Sequence, residues 1–164
     1  MGQLEQLGDR LLVLYDGHCV LCNRSVRWLL RRDRHDRLRF APAQSAAVAP
    51  LLAQCGFDPA TAPSSPSSPF SPDTILVLRH PGAPAQTLLT RSSAAVALLA
   101  ELPRPWPAVA ALLRMVPRPL RDLGYRIVAR CRYRLWGRLP VCPLPSPQEQ
   151  PHFLSSAAIP PDSC

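Results

Sequence analysis

The 164-residue sequence predicts one α/β domain, and three observations carry that reading. A short apolar run, Leu11-Leu12-Val13-Leu14-Tyr15, stops at Asp16-Gly17, as a buried strand bounded by a turn does. From Val20 to about Arg32 the apolar residues recur every third or fourth position, which is the period of an amphipathic helix. Thr74 to Leu78 then restores a β pattern, so strand and helix alternate along the chain.

The elements follow in order. In the first helix Cys22, Val26, Leu29 and Leu30 share one face and Arg24, Arg27, Arg31 and Arg32 the other. Leu38-Arg39-Phe40-Ala41 reads as a second strand, and Ser45 to Cys55 as an alanine-rich helix ended by Gly56. Residues 58–72, rich in proline and serine, read as a surface loop inserted in the domain. After Thr74–Leu78, Pro81-Gly82 supplies a turn and Gln86 to Thr90 a hairpin partner. Ser92 or Ser93 is placed to cap a helix reaching about Leu102.

Pro103 to Pro119 is helical but interrupted by prolines, and Leu120 to Trp136 is a basic helix. In that helix Leu123, Ile127, Cys131 and Leu135 recur every four residues, which predicts a stripe facing the core. Its arginines then fall on the solvated side, with Asp122 in reach of Arg118 or Arg126. Beyond Gly137 a proline-rich segment wraps the surface. Residues 1–10 form an N-terminal extension, 11–154 the domain, and 155–164 a flexible tail. The order β-α-β-α-β-β-α with added C-terminal helices is that of a thioredoxin-like fold.

Composition narrows the classes of function. The net charge of +8 and pI near 10.0 suit a nucleic-acid binder. Every basic residue is an arginine, however, and there are 21 prolines, which points to coding bias, and no nucleic-acid motif accompanies the charge. Specific nucleic-acid binding is not expected. No apolar run reaches membrane-spanning length, and the first ten residues hold two acids and no apolar stretch, unlike a signal peptide. A cytoplasmic, monomeric protein without a secreted disulfide framework is the expectation.

Six cysteines are present, and only Cys19 and Cys22 are closely spaced. A C-x-x-C at a helix start has three consequences. Backbone N–H groups and the helix dipole favour a thiolate on Cys19, whose pKa in such motifs falls to roughly 3.5–7.5. Cys22, one turn on, comes within disulfide reach. Cys19 is left exposed to attack and Cys22 shielded to resolve. This predicts dithiol–disulfide exchange on protein or small thiol substrates, with no bound cofactor.

The alternatives are a zinc site and a purely structural pair. A zinc knuckle needs further ligands. Cys131 and Cys142 lie eleven residues apart, and His18, His35 and His152 complete no four-ligand spacing, so no metal is expected. The matching alternative function is a zinc-binding or scaffold protein holding a partner on the basic C-terminal helix. His18 is either a stabiliser of the Cys19 thiolate or a solvent-exposed loop residue. Asp16 is read first as a cap of the turn and helix start, and also as a proton acceptor or relay. Arg24 and Arg27 read as a solvated face, with assistance to an anionic thiolate or substrate as the alternative.

The run from Asp16 to Asp33, beginning D-G-H-C-V-L-C, resembles the signature of the DCC family of thiol-disulfide oxidoreductases, named for an Asp and two Cys. Those positions are Asp16, Cys19 and Cys22 here. The resemblance extends through Leu38–Pro42, Gln44-Ser45, Asp73-Thr74-Ile75, Thr90–Ala94, and Val116 to Asp122, then Tyr125, Arg130, Tyr133 and Gly137. It implies a thioredoxin-like fold and oxidoreductase activity. Where thioredoxins carry a cis-proline before the third strand, the family uses Ser or Thr, which puts Thr74 opposite the cysteines. Cys142 resembles a further family position, as a third redox thiol or a surface bystander.

Overall fold

The computed structural model describes residues 7–43, 48, 52, 75–81, 86–140, 143 and 145–154. Their elements are β1 (Leu11–Tyr15), α1 (Val20–Leu30), β2 (Leu38–Pro42), β3 (Leu76–Arg79), β4 (Thr87–Thr90), α2 (Arg91–Glu101), α3 (Trp106–Met115) and α4 (Arg118–Trp136), with a short 3-10 turn at Gln150–His152. The sheet order is β2-β1-β3-β4. β1 pairs in parallel with β2 across the α1 crossover, Leu11 opposite Leu38, and antiparallel with β3, Leu14 opposite Leu76. β3 and β4 form the expected hairpin. This mixed α/β sheet is consistent with the thioredoxin-like fold read from the element order.

All five residues of β1 are buried, because it is an inner strand covered on both faces. Alternation splits it between two cores. Leu11, Val13 and Tyr15 pack with Val26 and Leu29 of α1, Phe40, and Ala94 and Leu98 of α2. Leu12 and Leu14 face the other way, against Leu76, Leu78, Val48 and Leu52. Burying each such side chain contributes about 1.5–3 kcal/mol, so β1 anchors the turn that follows it. On the outer edge of β2 the C-terminal segment takes up the open backbone. The Leu154 N–H donates to Phe40 O at 3.0 Å, and Phe153 packs its ring near Phe40 and Tyr15.

Several sequence expectations change. α2 begins at Arg91 with Thr90 as N-cap and no side-chain capping bond, so neither Ser92 nor Ser93 caps it. Ser92 instead donates its hydroxyl to Asp122, whose carboxylate is thereby engaged across the α2–α4 contact rather than with Arg118 or Arg126. Of the helix expected at 45–55, only Val48 and Leu52 are described, joined by a 3.1 Å backbone hydrogen bond. The loop at 58–72, Thr74, Cys142 and the tail at 155–164 lie outside the described residues.

The largest correction concerns α4. Ile127 is 55% exposed and Leu135 67%, with Leu123 also in solvent, while Arg132 on the opposite face is 3% exposed. The four-residue period was real, but it marks the outer face. The inner face carries Asp122, Tyr125, Arg132 and Tyr133 because α4 covers polar ground: Ser92 of α2, the start of β3, and the turn after β1.

Candidate active site

At the end of β1 the chain turns through Asp16-Gly17-His18 into α1. Asp16 builds this turn: its Oδ1 accepts the His18 N–H at 3.0 Å, and its backbone oxygen accepts the Cys19 N–H at 3.2 Å. Asn23 closes it from within the helix, its Nδ2 donating to Gly17 O at 2.7 Å and Cys19 O at 3.0 Å. The N-cap of α1 is Cys19, not Asp16, and the capping acceptor is sulfur. The Cys22 N–H points at Cys19 Sγ over 3.3 Å, one of the unpaired donors every helix start leaves over.

Cys19 and Cys22 are both free thiols. The Cys19 thiol is lowered from 9.0 to about 6, chiefly by a hydrogen bond from the Cys22 thiol; the Cys22 N–H and the positive charge of Arg132 help, against burial and Asp16. Cys22 is raised, first because its proton is held in that bond to Cys19 and then by burial. The pair is therefore polarised, with the first sulfur the easier to ionise. One expectation fails: Cys19 is 0% exposed and Cys22 7%, so Cys19 is not the open member of the pair.

The far end of the chain lies along the backbone of this motif. Arg138 makes an antiparallel bridge with Cys19, and the Leu139 N–H donates to His18 O at 2.8 Å. His18 returns the contact with Nδ1 3.3 Å from Leu139 O. His18 is thus neither a free loop residue nor shown to bear on the thiolate; it fastens residues 138–139 to the motif. Arg24 and Arg27 are exposed, as expected of a solvated face.

Beneath the turn lies a buried polar cluster that the sequence did not disclose. Arg132 Nη2 is 3.2 Å from Asp16 Oδ2 and 2.7 Å from Tyr133 Oη, and the Tyr133 hydroxyl donates to Asp16 Oδ2. Burial and the bond to Asp16 raise the Tyr133 pKa, keeping the phenol protonated as a donor. Tyr125, also on α4, holds the entry of β3 through a 2.9 Å bond from the Ile75 N–H to its hydroxyl. Tyr125 and Tyr133 stood in the resembling blocks, but nothing in the local pattern tied them to Asp16 or β3. Asn23 and Arg132 were missed.

Among the described residues, the metal-ligand types that gather are Asp33, Asp36 and His152. They are already employed: Asp33 accepts the Arg37 and Leu38 N–H groups, and Asp36 pairs with Arg10 and Arg39. The dithiol is not part of that group. No helix among the described residues is long and apolar enough to cross a membrane.

Residues 13–138 match the family of DCC1-like thiol-disulfide oxidoreductases. The chain is 32% identical over 150 residues to the uncharacterized protein YuxK of Bacillus subtilis (strain 168), covering 92% of this chain and 97% of that one. It is likewise 32% identical over 135 residues to a chloroplastic DCC family protein of Arabidopsis thaliana, covering 82% and 70%. No solved structure matches.

Proposed function

The chain belongs to the DCC1-like thiol-disulfide oxidoreductase family, and from its dithiol we propose that it performs dithiol–disulfide exchange with Cys19 as nucleophile and Cys22 as resolving thiol. The observation that carries this reading is the opposite polarisation of the two thiols, Cys19 lowered to about 6 and Cys22 raised. The Cys19 thiolate attacks one sulfur of a substrate disulfide. A mixed disulfide forms and the other substrate sulfur leaves as a thiolate. Cys22 then gives up its proton and attacks Cys19 Sγ, closing the Cys19–Cys22 bond and releasing the second substrate thiol. Two electrons pass from the dithiol to the substrate, and the reverse sequence oxidises one.

Asp16 is assigned two tasks. It fixes the turn and Arg132, whose charge favours the thiolate, and it accepts the proton that Cys22 loses. Access to Cys19 requires local opening around the motif, since Cys19 has no exposed surface. An apolar cleft of about 390 Å³ runs along α1 beside Ser25, Trp28 and Ile75, which supports disulfide-bearing proteins as substrates alongside small thiols. Thr74 is retained as a supporting residue because it directly precedes Ile75. The setting we assign is a monomer in the cytoplasm, where thiols are kept reduced.

Trapping tests the assignment. With oxidised glutathione, the Cys22→Ser variant is expected to accumulate a mixed disulfide at Cys19, and Cys19→Ser to trap nothing. Equal trapping by Cys19→Ser would reverse the roles.

A further inference from the structure

We propose a second site, remote in function from the dithiol: an oxyanion-binding cleft of phosphate type between the β3–β4 hairpin, α2 and the α3–α4 corner. The cleft is about 410 Å³ and is lined by Arg79, Arg114, Arg118 and Arg121 with Ser93 beside them. No carboxylate is among its described lining residues. The nearest acid in sequence, Asp122, is turned to the Ser92 hydroxyl. Four guanidinium groups around one concavity repel one another, and the described neighbours offer them no counter-charge.

Two further features point to a ligand. Nε of Arg79 and Nε of Arg121 are buried and have no hydrogen-bond partner among the described residues. A buried donor left without a partner costs free energy; closed off from the open cleft, these Nε atoms leave the outer guanidinium nitrogens to meet an anion there. The cleft also takes in Pro117 and Arg118 at the start of the 19-residue α4, where the helix dipole favours negative charge. Guanidinium forks match a phosphate's oxygens two at a time, as an ammonium does not. Such a group comes from a free phosphate compound or from a lipid headgroup; exposed Met115 and Leu120, next in sequence to lining residues, would suit the second.

The test uses the full chain and two double variants that remove equal charge. Arg114→Gln with Arg118→Gln alters the cleft, and both residues are exposed, so folding should survive. Arg130→Gln with Arg134→Gln lies elsewhere on α4, also exposed. Pyrophosphate binding is measured by calorimetry at about 0.15 M salt, where non-specific attraction is largely screened. Binding to phosphatidylcholine vesicles with and without phosphatidic acid is measured by co-sedimentation. The cleft variant is expected to lose about tenfold or more in affinity, and the control to stay within about twofold. That pattern with pyrophosphate alone identifies a free phosphate compound; with phosphatidic acid vesicles, a headgroup. Absence of binding to both probes, or equal loss in both variants, overturns the site.

Discussion

Helix α1 turns Cys22, Val26 and Leu29 inward and its arginines outward, whereas α4 buries Arg132 and leaves Leu123, Ile127 and Leu135 in solvent. Both carry a clean helical period. The difference lies in what each helix covers. α1 lies on the apolar face of the sheet beside Val13 and Phe40. α4 lies over Asp16, Ser92 and the Ile75 N–H, groups that demand partners. Periodicity therefore identifies the faces of a helix, while the neighbour decides which one is buried.

The comparison breaks most visibly at Arg132. Replacing it by Leu leaves Asp16 buried without its cation and should cost about 3–5 kcal/mol, read as a lowered denaturant midpoint. A loss below about 1 kcal/mol would mean the inward face of α4 contributes no more than an exposed ion pair.

A second measurement joins the two helices through charge. With its thiol lowered from 9.0 to about 6 by the Cys22 bond, Cys19 should be half ionised near pH 6 in the reduced protein. A thiol lowered in the folded state adds stability that is complete above 9.0 and is lost as pH falls through about 6. Reduced protein should therefore weaken on acidification across that window and level off below it. Cys19→Ser should flatten the profile. Iodoacetamide labelling of Cys19, followed by mass spectrometry, should show the same midpoint.

Smaller effects sharpen the contrast. Tyr125→Phe removes the acceptor of the Ile75 N–H and should cost about 1–2 kcal/mol at the entry of β3. Ile127→Asp, which a core-facing stripe would make ruinous, should change stability by no more than about 0.5 kcal/mol, because that side chain is already in water.

What was legible in the sequence was what neighbouring residues decide. β1, α1, the hairpin and the place of Cys19-x-x-Cys22 follow from runs, periods and turn residues within a few positions. The Asp16–Arg132 pair spans 116 residues and the His18–Leu139 contact 121, and no local pattern encodes such meetings. Asp16 was recognisable as a cap of the turn, and its Oδ1 does accept the His18 N–H; its pairing with Arg132 was not. Reading it as a helix cap ignored that Cys19 sulfur fills that place. The exposure of Cys19 was misjudged too: its thiol sits in the core cluster, and residues 138–139 pair with the backbone of its turn.

That pairing also sets an order of events during synthesis. The dithiol, its turn and α1 emerge from the ribosome more than a hundred residues before Tyr133 and Leu139, the residues that meet Asp16 and His18. Contacts this distant in sequence form late, because their loop-closure entropy is met only once the rest has collapsed. A nascent chain ending before Arg132 should thus present Cys19 with its turn unpaired and without its buried cation, and the mature reactivity of the pair arises in the last stage of folding.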